Sequence, residues 1–253
     1  MAGETDLSMT TGIGLRDLLA TTPTLGGKKS DVAYAVIKRA IILRTVAPGT
    51  LLREQELARE FQCSQGTVRE ALMRLDEDGL VERSGYRGTQ VTDISHAEAA
   101  EMVRVRLSIE QAVARAIARN GMSEADRDAI EATIAAMAQT QEREDHLAAS
   151  ELDRTFHTRL AKASGMSLLS PILERCSLHI HRITLGGLEV PREFFQESGV
   201  AAEHRLLLDE VSSGDETRAT RAIAAHLHHV LSRWSPSLLD AVGPDAFAPQ
   251  TTT

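Results

Sequence analysis

Residues 50 to 92, TLLREQELAREFQCSQGTVREALMRLDEDGLVERSGYRGTQVT, constrain the fold more tightly than any other stretch of the chain. Ser64 is a good helix N-cap, and Val68, Ala71, Leu72 and Leu75 follow it at i, i+3, i+4, i+7, one apolar face of an amphipathic helix. Gln65, Gly66, Thr67 and Arg69 then fall on the outer face near the helix N-terminus. Leu80-Val81-Glu82-Arg83, the Ser84-Gly85-Tyr86-Arg87-Gly88 turn and Thr89-Gln90-Val91 read as strand, glycine turn, strand. Upstream, Glu54 to Phe61 supplies a short helix. Asp31 to Arg44 supplies a leading one whose Val32, Val36, Ile37, Ala40 and Ile41 would close a small core, with Pro48-Gly49 between the two. Helix, helix, helix and hairpin in this order make a winged helix-turn-helix. That module reads DNA by setting the N-terminal end of its second helix in the major groove.

These residues resemble the GntR family of bacterial transcription regulators. The resemblance runs through Pro48-Gly49, Leu52, Glu54, Glu56-Leu57-Ala58, Ser64, Val68-Arg69-Glu70-Ala71-Leu72, Leu75, Gly79-Leu80-Val81 and the Arg87-Gly88 wing tip. Two departures bear on specificity. The family commonly has Arg where Gln55 stands, and a Ser-Arg-Thr-Pro start where this helix has Ser64-Gln65-Gly66-Thr67. Gln can pair with an adenine edge but cannot clamp guanine or neutralise a phosphate as Arg does, which implies an operator unlike the family's common one. Gly66 in the first turn also costs the helix about 1 kcal/mol relative to Ala.

Charge sharpens the expectation. The chain of 253 residues has a formal net charge of −8, unhelpful for a general polyanion binder, and residues 30 to 95 are close to neutral. DNA binding must then rest on a few placed cations. Arg53, Arg69, Arg83 and Arg87 are the candidates, with Lys28 and Lys29 as arm contacts, and the salt dependence should be modest. The expected DNA-contacting set is Arg53, Gln55, Ser64, Gln65, Gly66, Thr67, Arg69, Arg83, Gly85 and Arg87. Residues 1–29 read as a flexible extension lacking the pattern of a signal peptide, and residues 235–253 as a flexible tail. No stretch is apolar enough for a membrane span, and the two cysteines, Cys63 and Cys176, suggest no disulfide framework. Together these point to a cytoplasmic protein.

After the winged helix-turn-helix (residues 30–93) the pattern is helical to Trp234. Six segments, about 96–120, 123–143, 145–164, 167–185, 191–213 and 215–234, are divided by stop signals at Asn120-Gly121, Ser164-Gly165, Gly186-Gly187 and Ser213-Gly214. The fold class is mostly α, with an all-helical antiparallel bundle over 96–234. Aromatic residues are only 3% of the chain, so its core is Ala, Leu, Ile and Val.

Polar groups nonetheless fall on the apolar faces. Asp153 and His157 lie four apart beside Phe156 and Leu160. His204 shares a face with Leu207, Leu208 and Val211, and His226 with Ile223 and Val230. Buried apart, such groups are costly; together, one carboxylate and three imidazoles suit a divalent transition metal, with zinc the leading choice and nickel, manganese or iron also compatible. His96, His146, His179, His181, His228 and His229 show no such pattern, and in the last helix the residues alone leave His226, His228 and His229 open.

This half is similar to the FCD (FadR C-terminal domain) branch of the family, in its shorter, VanR-like six-helix form. The similarity rests on Asp153, Phe156-His157, Glu203-His204 and His226, and on Arg106-Leu107-Ser108-Ile109-Glu110 in the first effector helix. It implies that Asp153, His157, His204 and His226 hold the metal. It also implies that a small organic or sugar acid is the effector, and that a homodimer reads a pseudo-palindromic double-stranded operator, as a repressor. A guanidinium binds a carboxylate through two parallel bonds, so Arg106 is expected to anchor the effector, with Arg182 assisting, while Glu110 pairs with an Arg. The competing readings are a metal-dependent hydrolase, a regulator that senses the metal itself, and a metal that only staples the bundle.

Overall fold

The structure, a computed structural model, describes residues 28–84, 88–143, 145–186 and 199–248. Residues 1–27 of the expected 1–29 extension, the wing-tip residues Gly85 and Arg87, and the start of the expected 191–213 helix lie outside them, while Lys28 is exposed and Lys29 opens the first helix. The described chain divides into two compact units that meet between Asp93 and Ile94.

The first unit begins with α1 (Lys29–Ile42), followed by β1 (Leu51–Leu52), α2 (Glu54–Glu60), α3 (Gln65–Glu77), β2 (Val81–Ser84) and β3 (Gly88–Val91). Ser64 caps α3 by accepting a hydrogen bond from the Thr67 amide at 3.1 Å, and Val68, Ala71, Leu72 and Leu75 are fully buried. Helix α1 packs on α3 through Val36, Ile37, Ala40 and Ile41. Ala33 and Ile42, rather than the expected Val32, complete its buried stripe; Val32 is only half-buried. Gly79, with φ +75°, ends α3 in the left-handed region that glycine enters at least cost, and the chain turns into β2. The hairpin β2–β3 is antiparallel with Val81 opposite Val91, and β1 adds a third strand beside β3, Leu51 opposite Gln90. That two-residue strand is too short to show a period in sequence.

The second unit is helical throughout its described residues. It contains α4 (His96–Asn120), α5 (Glu124–Glu142), α6 (His146–Ala163), α7 (Ser170–Gly186), α8 (Val200–Val211), α9 (Glu216–Trp234) and α10 (Pro236–Val242). A full capping box starts α4: Ser95 Oγ accepts from the Glu98 amide, and Glu98 accepts in return from the Ser95 amide. Asp145 and Asp215 cap α6 and α9. The long α4 packs against α7, α9 and α10, and α6 against α5 and α7. The core is Ala, Leu, Ile and Val around one large aromatic, Phe156, which has no exposed surface.

The reading of residues 235 onward as a flexible tail is corrected here. Pro236 opens α10 at a position where its missing amide costs nothing, and Leu238 and Val242, one turn apart, are buried against α4. Arg104 of α4 donates to the carbonyl of Val242 at 2.7 Å, capping the far end. Among the described residues the bundle therefore has a seventh, short α-helix beyond the six expected. A seven-residue helix is not stable alone, so its formation depends on this docking.

Candidate DNA-reading face and candidate metal centre

The outer face of α3 is built as the local pattern requires. With Val68, Ala71, Leu72 and Leu75 turned into the core, Ser64, Gln65, Gly66 and Arg69 are exposed, and Thr67 is half-buried beneath the Ser64 cap. Gln55 and Arg53 are exposed on and beside α2, and Arg83 is exposed on β2. Each of these arginines is matched to a carboxylate. Arg53 lies 3.0 Å from Glu56. Arg69 makes a two-pronged pair with Glu54, Nε to Oε1 at 3.0 Å and Nη2 to Oε2 at 2.7 Å, and Arg83 approaches the same Glu54 at 4.0 Å. The hydrogen bond from Arg69 holds the Glu54 carboxyl below its ordinary pKa. The near-neutral charge of this unit thus has a local cause: α2 presents acids to the cations of the reading face. Cys63, before α3, is half-buried and its thiol is pushed up by burial, which opposes reactivity.

In the helical unit, Asp153, His157, His204 and His226 converge from α6, α8 and α9. One potential ligand atom from each lies within 4.8 Å of the others, and among the described residues this is the group that could hold a metal ion. The imidazoles are buried, and Phe156 packs edge-on against two of them, with ring centroids 5.1 Å from His157 and 4.8 Å from His204. His228 and His229 are exposed on α9, so the bundle itself selects His226.

The second nitrogens are oriented from outside the cluster. His204 Nδ1 donates to the Val200 carbonyl at 2.7 Å, and its Nε2 faces Asp153 Oδ1 at 3.1 Å. His157 Nδ1 sits 2.8 Å from Glu110 Oε2. Backbone carbonyls and carboxylates behind the outer nitrogens are the partners that fix metal-binding imidazoles. His157 Nε2 and His226 Nε2 are buried and make no hydrogen bond. A buried carboxylate ringed by three imidazoles, with two of the imidazole nitrogens making no hydrogen bond, is a donor set that fits a divalent metal.

Charge around the cluster is organised by Arg106. Its Nε donates to Glu110 Oε1 at 2.6 Å, and Nη2 lies 3.5 Å from Asp153 Oδ2. Burial alone would raise the Glu110 pKa, but Arg106 and His157 outweigh it and hold the carboxyl down to about 2. Asp153 is likewise kept well below the carboxylate range by His157 and Arg106 against the cost of its burial. Burial pushes His226 well down, reinforced by the neighbouring His204 and His157, so it is neutral and ready to coordinate. His157 moves the other way: burial disfavours its charge, yet Glu110 and Asp153 raise it overall.

A cavity of about 110 Å³ opens beside the cluster, with Asp153, His204 and His181 at its inner end. His181 was among the histidines without a pattern, yet its Nε2 is 3.2 Å from Asp153 Oδ2. Residues 176 to 184 of α7 are all buried, and a helix buried on every side offers no apolar stripe against which a ligand residue can stand out. The expectation that Arg106 anchors an effector directly is not met in this cavity. Arg106 is 2% exposed, faces Glu110 and Asp153, and does not line the wall. Arg182 is buried on α7 and does not line it either. Glu110 pairs with an Arg as expected and also supports His157.

The FCD domain model matches residues 101–229, and the model of bacterial regulatory proteins of the gntR family matches residues 29–91. The chain belongs to the GntR family, in its FCD branch. This GntR regulator is 28% identical over 199 residues to the HTH-type transcriptional repressor RspR of Escherichia coli K12, covering 78% of this chain and 85% of RspR. It is 29% identical over 197 residues to the HTH-type transcriptional regulator LutR of Bacillus subtilis, covering 70% and 87%. Its fold is shared with E. coli McbR/YncC at a TM-score of 0.66 and 19% identity, over 83% of this chain and 99% of that one. The regulator is a DNA-binding transcription regulator and not an enzyme, which removes the hydrolase reading. No helix among its described residues is long and apolar enough to cross a membrane.

Proposed function

We propose that this regulator is a repressor whose operator affinity is set by a small carboxylate metabolite bound beside a divalent metal in the helical unit. The observation that carries the reading is the convergence of Asp153, His157, His204 and His226 within 4.8 Å, with Asp153 and His204 also lining an open cavity. These four residues would hold the metal, zinc being the ion best suited to three imidazoles and one carboxylate, with nickel, manganese and iron also compatible. When bound, the metal supplies positive charge and coordination positions for a carboxylate. The chain's own groups do the rest: Arg106 and Glu110 fix Asp153 and His157 from behind, Val200 fixes His204, and His181 stands where cluster and cavity meet.

On the DNA side, Gln55, Gln65, Thr67 and Arg69 would read base edges, with Arg53, Arg83, Gly85 and Arg87 contacting the backbone around the groove. A homodimer would place two such faces on a pseudo-palindromic operator. The repressor sense is supported by RspR, which bears that description. A ligand alters DNA affinity only by binding the DNA-competent and DNA-incompetent arrangements unequally; couplings of about 1–3 kcal/mol correspond to roughly five- to 150-fold.

The test is operator binding by the full-length protein, measured by fluorescence anisotropy with and without carboxylic acids, before and after chelation. A metal-dependent loss of affinity on adding an acid supports the reading. A response to chelation alone, with no acid effective, would make the metal itself the signal.

A further inference from the structure

The wall of the cavity beside the metal cluster constrains the body of its ligand. Three hydroxyls line it, and each donates its proton to a carbonyl of its own helix. Thr140 Oγ1 bonds Met137 O at 2.8 Å, Ser150 Oγ bonds Leu147 O at 2.8 Å, and Thr184 Oγ1 bonds His181 O at 3.3 Å. Met137, Ala149, Leu185, Val200, Val230 and Trp234 supply apolar surface around them. Acidic and basic groups on the wall away from Asp153 come as one of each, Glu203 and Arg233, and Glu203 also lies 3.3 Å from His229. Polar donors and acceptors concentrate at the inner end, in Asp153, His181 and His204.

Size and charge narrow the ligand further. At about 110 Å³ the space is several times the roughly 10–15 Å³ that a single water needs, so it admits a small organic molecule. In the connected group of Arg106, Glu110 and Asp153, two carboxylates face one guanidinium. With a divalent ion among neutral imidazoles that group carries one net positive charge, which a single carboxylate cancels.

We propose that the cavity takes a monocarboxylate with a compact apolar or aromatic body, and discriminates against sugar acids and polycarboxylates. The inference rests on the metal-dependent carboxylate reading above and narrows its ligand class. The carboxylate end lies toward His181 and His204, and the body lies against Val230, Leu185 and Trp234. A polyhydroxy acid would set its hydroxyls against a mostly apolar wall whose own hydroxyls can accept but not donate, so its hydroxyl oxygens would lose bonds they took from water. A second carboxylate would exceed the single positive charge of the metal-loaded cluster and would lie along the mostly apolar wall.

The test is calorimetric titration of zinc-loaded full-length protein with benzoate, phenylacetate and 4-methylpentanoate against gluconate, galacturonate and citrate, with benzamide as the uncharged control. The apolar monocarboxylates are expected to bind at least tenfold more tightly than the others and to lose binding after chelation. Val230→Phe, which fills the apolar wall one turn from His226, is expected to abolish their binding while bound zinc, measured by mass spectrometry, and Tm stay unchanged. Gluconate, galacturonate or citrate binding as tightly as benzoate would overturn the inference and leave the carboxylate-sensing reading intact. No acid binding to protein that demonstrably holds zinc would overturn both. Equal binding of benzoate and benzamide, or of benzoate before and after chelation, would overturn the placement of the carboxylate at the inner end.

Discussion

Arg69 on α3 is held by Glu54 of α2 through two hydrogen bonds, Nε to Oε1 at 3.0 Å and Nη2 to Oε2 at 2.7 Å. An arginine side chain has five N–H donors, so the clamp leaves three and fixes the plane in which they point. It also puts a carboxylate in competition with any phosphate that approaches Arg69, and with Arg83, 4.0 Å away on the same acid. A regulator that must tell its operator from random sequence gains from such competition, because phosphate attraction is common to all sequences.

Glu54→Ala should therefore bind random duplex DNA more tightly at low salt while losing discrimination for the operator. Releasing one arginine to a phosphate steepens the slope of log K against log salt by about 0.9. Anisotropy titrations on random and operator duplexes at several salt concentrations measure both quantities. An unchanged slope and an unchanged specificity ratio would show that the pair only braces α2 against α3.

Metal affinity should fall with falling pH, and His157 gives the reason. Its pKa is raised because Glu110 and Asp153 outweigh the cost of burial, so in the metal-free protein it holds a proton at higher pH than an ordinary imidazole. A metal must displace that proton. Above the His157 pKa no proton is in the way. Below it, affinity drops by roughly tenfold per pH unit for the one proton released. Competition against a chelator of known affinity between pH 5.5 and 8.5 measures the slope, and Glu110→Gln, which removes a raising influence, should move the break to lower pH.

Asp153→Asn keeps the shape of the side chain and removes its charge. Bound metal should fall from near one per chain to a small fraction, and the response of operator affinity to acids should vanish. Operator affinity without acid should stay within about twofold, since Asp153 belongs to the helical unit and not to the reading face. Metal content by mass spectrometry together with anisotropy separates this from a purely stapling metal, for which melting temperature would change and the other readouts would not.

What could be read from the chain follows from where periodicity has contrast. The α3 stripe and the Asp153 and His157 pair stand out because each lies on a helix with one apolar face and one wet face, so a polar residue on the wrong side is visible. His181 and Arg182 lie on α7, buried on all sides from 176 to 184, and there burial carries no phase information. The hydroxyls of Thr140, Ser150 and Thr184 carry no signal in sequence, and only the folded chain shows their protons turned back to Met137, Leu147 and His181. Arg106 stands out through the family signature, and Glu110 four residues on is readable as its partner, but the approach of Asp153 to Arg106 needs the register of α4 against α6. The Glu54 clamp spans fifteen positions and depends on the angle between α2 and α3, which no pattern encodes.

The docking of α10 yields the last prediction. Leu238 is fully buried and Val242 nearly so, both against α4, and Arg104 ties the end of α10 to the same helix at the carbonyl of Val242. Since a helix this short does not hold itself, its contribution to the fold passes through those two side chains and that one cap. Leu238→Ala should cost about 2–4 kcal/mol and lower the Tm of the helical unit by roughly 5–15 °C. The Arg104→Ala effect should be smaller, near 1 kcal/mol, as expected for a partly exposed cap. Helix α10 begins two residues after Trp234, which lines the cavity with Arg233, so loosening it should also weaken acid binding while leaving metal content unchanged. Differential scanning calorimetry and acid titration of the same Leu238→Ala sample test both effects, and a lowered Tm with unaltered acid affinity would confine α10 to stability.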